Sequence, residues 1–399
     1  MVRILTINTG SSSLKAALYE LEGTERRILS AKAERIGLSG GRMRISDAQG
    51  VVLHEPHEDL PNHSAALTAL CTWLGGQGAE YGPRAVGHRI VHGGAAYCEP
   101  LLIDDTVTAA LRDLVPLDPD HLPQAIEAIE SVERTFPAIP QAACFDTAFH
   151  RHMPRVARLY ALPDELRAGG VRRYGFHGLS YEFIMRELGR LDPNAVSGKV
   201  VIAHLGNGAS MAAVRDGVGI ETTMGFTPLG GLVMGTRPGD LDPGVLLYLL
   251  QGRGMSPSEL STLVNKQAGL LGVSGISADM RDLLGKEADD GRAREAVELF
   301  CYQAKKSLGA LIAVLGGLDT LIFTGGIGEH AAPVRERICA GLAFLGLQID
   351  PVRNADHAPI ISSDRAAVTV RVLATDEDVM IAEHTHDLLS HGGATAVAV

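Results

Sequence analysis

The chain has 399 residues, 46% of them hydrophobic, enough for two ordinary domains. Its formal net charge of −11 argues against nucleic acid or an anionic membrane as the main partner, so an anionic ligand needs local clusters of Arg and Lys. Five scattered cysteines with no C-x-x-C pair read as reduced, buried thiols of a cytoplasmic protein. The opening MVRILTINTG turns polar too early for a signal peptide, and the apolar run 310–318 is too short to span a bilayer.

Residues 2–20, VRILTINTGSSSLKAALYE, read as strand, Gly/Ser turn, strand. The stretch Asn8 to Lys15 packs hydroxyls, a turn glycine and a lysine together, which makes a concavity for anions. Asn8 offers a neutral oxygen for a hard cation; an ordinary Ser-rich turn is the bland alternative. In GHRIVHGG (87–94), Arg89 ends an apolar strand between glycines, a setting suited to forking onto a carboxylate or phosphate, or to tying two loops together. Asp146, in CFDTAFH, ends a buried strand and either caps the next turn or acts on a substrate. The periodicity breaks at HRHMPR, which puts the domain boundary within 148–155 and the first domain at 1–147. In GFHGLSYE (175–182), His177 follows Arg172, Arg173 and Tyr174 and precedes Gly178, an arrangement for a side chain aimed at a ligand.

Residues 199–217, KVVIAHLGNGASMAAVRDG, repeat the opening at an offset of 196, with Gly206 on Gly10 and Ala212, Ala213 and Val214 on Ala16, Ala17 and Leu18. A third strand follows each hairpin (RRILSAKAE; VGIETTM). Each half then reaches a strand ending in a chemically loaded loop, at 140–150 and 319–330. The pattern implies an α/β fold of duplicated domains with mixed sheets facing a central cleft, the second domain spanning 148–383. A last helix near 377–389 is expected, with 384–399 packing on the first domain.

Arg237, in GTRPGD (235–240), is expected to end a strand as Arg89 does, and Asp279-Met280-Arg281 to open a helix, with Asp279 as cap or nucleotide contact. Thr324 to His330 follow a buried strand. Gly326-x-Gly328-x-x-Ala331, with Asp350 ending the next strand, matches a relaxed dinucleotide fingerprint, but too little chain follows for a dinucleotide fold. The glycines suit backbone lying against adenine or ribose. The glycine spacing of 230–237 lacks the Lys-Ser/Thr ending of a Walker A loop.

Nine motifs, NTGSSSLK, GHRIVHGG, FDTAFH, RRYGFHG, HLGNG, MGFTPLGGLVMGTRPGDLDP, GLLGVSGISADMRD, FTGGIGEH and ATDED, occur in the order found in acetate kinases. The whole chain resembles the acetate and propionate kinase family, within the actin-like ATPase superfold. The resemblance implies a homodimeric enzyme that transfers phosphoryl reversibly from ATP to acetate, giving acetyl phosphate and ADP, with Mg2+, replaceable by Mn2+. By that similarity Asn8 and Glu377 hold the metal and Lys15 approaches the phosphates. His204, Leu205, Gly206, Asn207 and Gly208 surround ATP, with Asp279, Met280, Arg281, Gly326, Ile327, Gly328, Glu329 and His330. Arg89 clamps the acyl carboxylate, Asp146 is the acidic catalytic residue, and His177 and Arg237 stabilise the transition state. Val91, Leu117, Phe176 and Pro228 form the pocket for the methyl group.

The chain departs from the family pattern where PLHNP becomes Pro116-Leu117-Asp118-Pro119-Asp120, so aspartate replaces a histidine. A carboxylate beside a carboxylate substrate costs on the order of 4 kcal/mol at 4 Å with an effective dielectric near 20. Either Asp118 turns away, or it is held protonated, or the substrate differs; the working hypothesis is that His121 takes the vacated role. Asp376 and His330 replace asparagines, and Gly230 replaces a glutamate. Alternatives to acetate kinase are a propionate or other short-chain carboxylate kinase, a nicotinamide-dependent oxidoreductase, recognised by NADH binding, and a non-transferring actin-like ATPase, recognised by acceptor-independent hydrolysis.

Overall fold

The first hairpin folds as its alternation dictates: β1 (Val2–Thr9) pairs antiparallel with β2 (Ser13–Leu21), and Gly10 N–H closes the turn on the Ser13 carbonyl. A computed structural model describes residues 2–10, 12–22, 25–56, 59–78 and 81–391 of the chain; Ser11 of the hydroxyl-rich turn lies outside them. The described residues within 1–148 and 376–399 form one unit, and residues 149–375 form another.

In the first unit β3 (Glu25–Glu34), β4 (Arg42–Asp47), β5 (Val52–His54), β6 (Ala85–Ile90), β7 (Leu101–Leu102) and β8 (Gln141–Phe145) complete a mixed sheet of order β5-β4-β3-β2-β1-β6-β8-β7. β6 lies parallel to both β1 and β8. The helix Leu122–Thr135 crosses over between β6 and β8, so its N-terminus stands at the carboxyl ends of those strands. Leu5, Ile7, Leu14, Leu18, Leu67 and Leu70 lie in one buried cluster, and Ile90, Leu122, Ile126 and Phe145 in another. The helix Glu377–Ser390 packs on β1, β6 and β8, while 392–399 lie outside the described residues.

In the second unit β9 (Lys199–Leu205), β10 (Ala209–Arg215), β11 (Val218–Thr222), β12 (Thr320–Thr324) and β13 (Thr369–Val372) form a sheet of order β11-β10-β9-β12-β13. The order β3-β2-β1-β6-β8 is the same path with the same parallel and antiparallel pairings, so the duplication extends beyond the hairpins. One expected equivalence is corrected: the counterpart of β12 is β6, not β8, because β6 is the strand hydrogen-bonded beside the first hairpin.

Other corrections are local. No strand precedes Arg237, which lies in a turn-rich stretch between β11 and the helix Pro243–Leu247. Thr324 leads directly into a helical turn, Gly325–His330. Asp350 ends no strand; it caps Pro351–Ala355 by accepting from Val352 and Arg353 N–H, which removes the ribose partner of the dinucleotide reading. Cys98 is exposed, whereas Cys71, Cys144, Cys301 and Cys339 are buried, and all are free. Among the described residues no helix is long and apolar enough to cross a membrane.

Candidate functional site

In the first unit the expected residues converge at the carboxyl ends of β1 and β6. Arg89 Nε donates to Asp146 Oδ1 at 2.9 Å and Nη2 to Asp146 Oδ2 at 2.5 Å, a two-pronged pairing, while Nη1 donates to Asn8 Oδ1 at 3.1 Å. Glu377 Oε2 stands 3.9 Å from Arg89 Nε. Asp146 is 1% exposed and Arg89 18%. Burial pulls the Arg89 pKa down, but the charges of Asp146 and Glu377 and the hydrogen bonds to Asp146 outweigh it, so the pKa lies above the ordinary arginine value. Lys15 is exposed and sits opposite Asn8 in the β1–β2 register. Val91, two residues past Arg89, is buried, and Leu117 ends the short turn Val115–Leu117.

Glu377 opens the helix Glu377–Ser390, whose cap is Asp376. The Asp376 carboxylate accepts from Val379 N–H and from the Tyr19 hydroxyl. Asp378 Oδ1 is buried with no hydrogen-bond partner. Burial first, then the charges of Asp376 and Glu377, push Asp378 up to about 6.

Asp118 has not turned to solvent. It is 4% exposed, its Oδ1 lies 2.8 Å from His121 Nδ1, and its Oδ2 is buried without a partner. His121 immediately precedes the helix Leu122–Thr135, so this aspartate–histidine pair stands at the same end of the sheet as Arg89 and Asp146.

In the second unit His177 has φ 58° and ψ 25°, a left-handed conformation that costs a non-glycine residue about 1–3 kcal/mol. The positive φ of His177 itself, rather than a flexible Gly178, aims the ring; Gly178 is already helical. Gly175 (φ 78°) leaves no room for a Cβ against the His150 ring, and His150 Nε2 lies 3.0 Å from the Phe176 carbonyl. Burial pushes His150 down to about 4, only partly offset by that carbonyl. Arg173 Nη1 donates to the carbonyls of Thr222, Thr223 and Met224, so the cation before His177 serves the backbone.

The His177 and His204 rings stack with centroids 4.3 Å apart and an interplanar angle of 20°. A Cβ on Gly208 would lie 2.8 Å from Arg237 Nη2 and 3.3 Å from His177 Nε2, so the glycine turn, the arginine and the histidine share one small space. Arg237 Nη1 donates to the Pro228 carbonyl at 2.8 Å. Gly235 packs so closely between Asn207 Oδ1 and the Ala278 carbonyl that no side chain fits, which joins the Gly206–Gly208 turn to the segment before Asp279. Asp279 caps the helix Met280–Lys286 and pairs with Arg281, whose Nη2 lies 2.6 Å from Asp279 Oδ2; Met280 itself is buried.

Gly325 (φ 75°) lies against the Leu205 backbone, which sets the turn containing Gly326, Ile327 and Gly328 beside the β9–β10 hairpin. Glu329 turns back to accept from Gly325 N–H at 2.9 Å, and His330 is exposed. Phe176 is 1% exposed and Pro228 partly buried. Sequence reasoning named residues that the structure groups as Asn8, Arg89, Asp146 and Glu377 in one unit, and His177, His204, Gly208, Pro228 and Arg237 in the other.

It missed Ser180, Tyr181, Ser210, Thr375 and Asp378. For the four hydroxyls the available signal was a polar group interrupting apolar periodicity, as Ser210 does in ASMAAV. It also missed Arg335, fully buried and donating to the carbonyls of Gly328, Glu329 and Asn354, which fixes the end of the Gly325–His330 turn.

The acetokinase family matches residues 3–383. An acetate kinase of Nitrobacter hamburgensis is 45% identical over 401 residues, covering 100% of this chain and 98% of that protein. One of Rhodopseudomonas palustris is 47% identical over 399 residues, with 98% and 99% covered. Among solved structures, the acetate kinase of Porphyromonas gingivalis superposes with a TM-score of 0.87 at 36% identity, covering 98% of this chain and 100% of that one. A propionate kinase of Francisella tularensis gives 0.91 at 36%, covering 97% and 100%. The match runs through both sheets and both residue clusters, and the chain belongs to the acetokinase family.

Proposed function

We propose that this chain transfers the terminal phosphoryl group of ATP to acetate, reversibly, giving acetyl phosphate and ADP, the principal activity of its family. The observation that carries the reading is Arg89: a partly buried guanidinium between glycines, already forked onto a carboxylate. An acyl carboxylate offers the same two oxygens, and it is ionised at neutral pH without help. No general base is therefore needed for the attack. Asp146 orients Arg89 through the fork, and Arg89 binds and aligns the acceptor, with Val91 and Leu117 of the same unit serving its methyl group.

Phosphoryl transfer spreads negative charge over the equatorial oxygens, and catalysis is mostly positioning plus electrostatic stabilisation. Arg237 Nη2 supplies charge and His177 Nε2 a directed donor beside the Gly206–Gly208 turn. Lys15 approaches the phosphates as a point charge. The nucleotide base and ribose lie along His204 to Gly208, Asp279 to Arg281 and Gly326 to His330.

Among the described residues no three His, Cys, Asp or Glu side chains form a closed metal cage. Asn8 Oδ1, Glu377 and the unpartnered Asp378 Oδ1 are hard oxygens, the sparse donor set Mg2+ accepts when phosphates complete its shell. Asn8 and Glu377 would hold Mg2+, or Mn2+ in its place, which neutralises phosphate charge when bound. The test is ADP release with formate, acetate, propionate or butyrate as acceptor, with hydroxamate trapping of the acyl phosphate. Acetate-dependent release with trapped acetyl hydroxamate is expected; release without any acceptor, or with propionate far ahead of acetate, overturns the assignment.

A further inference from the structure

Behind the paired histidines run two chains of buried and part-buried hydroxyls that no substrate role claims. His177 Nδ1 lies 2.8 Å from Ser210 Oγ, which in turn is hydrogen-bonded to the Tyr181 hydroxyl. His204 Nδ1 lies 2.8 Å from Ser180 Oγ, 2.9 Å from Thr375 Oγ1. Ser180, Tyr181 and Ser210 are fully buried. Both rings are thus held by Nδ1, and their Nε2 atoms stand toward the glycine turn, His177 Nε2 beside Gly208 and His204 Nε2 beside Gly206.

A hydroxyl has one hydrogen to give, which makes the direction of such a chain decisive. A phenol is the stronger donor of the pair, so Tyr181 donates to Ser210, and Ser210 donates to His177 Nδ1. His177 is then a neutral imidazole with its hydrogen on Nε2, where the Gly208 turn is. Stacking opposes charging both rings together: two imidazolium rings 4.3 Å apart repel each other.

We propose that Ser210 and Tyr181 are positioning residues for phosphoryl transfer, acting through His177 by fixing it as a neutral Nε2–H donor. Charge stabilisation then falls to Arg237, whose Nη2 borders the same turn, and His177 contributes direction. The proposal rests on the carboxylate kinase reading for its functional consequence, but the tautomer is set by contacts within the unit of residues 149–375.

The experiment therefore reads the two separately. In full-length protein with 15N-labelled histidine, and His177→Gln to assign the signal, His177 is expected to show a pyrrole-type Nε2 and a pyridine-type Nδ1 near pH 7.5. Ser210→Ala removes the donor to Nδ1; averaged signals from the two tautomers are expected, and Ser210→Thr, which keeps the hydroxyl, restores the pattern. In the acetate assay, Ser210→Ala and Tyr181→Phe are expected to lower kcat by roughly ten-fold or more while the KM values for ATP and acetate stay within about two-fold. A wild-type His177 that carries its proton on Nδ1, or is doubly protonated at that pH, overturns the proposal whatever the enzyme assay gives. So does an unchanged kcat in Ser210→Ala with the tautomer lost. Absence of acetate-dependent turnover in the wild type, with the tautomer as expected, refutes the kinase reading instead.

Discussion

Removing Arg89 separates what the fold needs from what the reaction needs. In Arg89→Ala the Asp146 carboxylate, 1% exposed, loses donors at 2.9 and 2.5 Å, and Asn8 loses one at 3.1 Å. Taking the guanidinium away from a buried carboxylate costs about 3–5 kcal/mol, because the carboxylate must either stay ionised without that cation or take up a proton. The double variant Arg89→Ala/Asp146→Asn replaces the charge by a neutral amide of the same shape. It should recover about 2 kcal/mol, since the desolvation penalty of an amide is smaller than that of an ion. Urea unfolding at pH 7.5 measures both, and the acetate-dependent ADP assay measures turnover. The expected pattern is partial recovery of stability with no recovery of turnover, because the guanidinium that aligns the acceptor is absent from both variants. A single substitution costing less than about 1 kcal/mol would show that the pair is not held as a buried unit. Turnover restored in the double variant would remove Arg89 from the chemistry.

His121→Ala is expected to lower turnover by roughly ten-fold or more, and Asp118→Ala by less, if the histidine held by Asp118 works at the acyl end; intact turnover in His121→Ala makes the pair purely structural. Burial pushes His88 and His150 down to about 4 from an ordinary 6.5, so the unfolded chain binds their protons first as pH falls. Their contribution is whole above pH 6.5 and drains away between 6.5 and 4, by about 3 kcal/mol for each histidine. Urea midpoints at pH 7.5 and 5 should show that slope, and His88→Gln should flatten part of it; a pH-independent midpoint contradicts the burial. Gly208→Ala is expected to lower kcat with little change in stability, since the atoms nearest the new methyl are the ends of the Arg237 and His177 side chains; unchanged kcat would place neither group at the turn.

Local pattern carried the hairpins, because alternating apolar residues around Gly10 and Gly206 admit little else. The odd composition around His177 made that residue visible, and the glycines around Arg89 and Arg237 marked both cations. Arg237 was nevertheless assigned to a strand end, since glycine-rich backbone between 225 and 240 offers no ladder and sequence spacing does not show that. Asp350-Pro351 carried a plain helix-start signal, a capping carboxylate before a proline at the first helical position, which a search for a ribose partner overrode. The equivalence of β6 with β12 was hidden because His88 and Arg89 break the apolar run of β6. The hydroxyl chains were invisible for another reason: Ser210 meets His177, and Ser180 meets Thr375, across separations of 33 and 195 residues. Small polar side chains leave no periodicity to read, and only the folded chain brings them to a shared atom.

The central claim is that fixed positive groups stabilise a migrating phosphoryl unit, so the most direct measurement is the steady-state kinetics of Arg237→Gln with acetate and ATP. The claim predicts a kcat lower by roughly 100-fold or more with the KM for acetate held within a few-fold, because the missing charge acts mainly in the transition state. A KM raised by that factor at unchanged kcat would contradict it, since Arg237 would then be binding ground-state substrate alone.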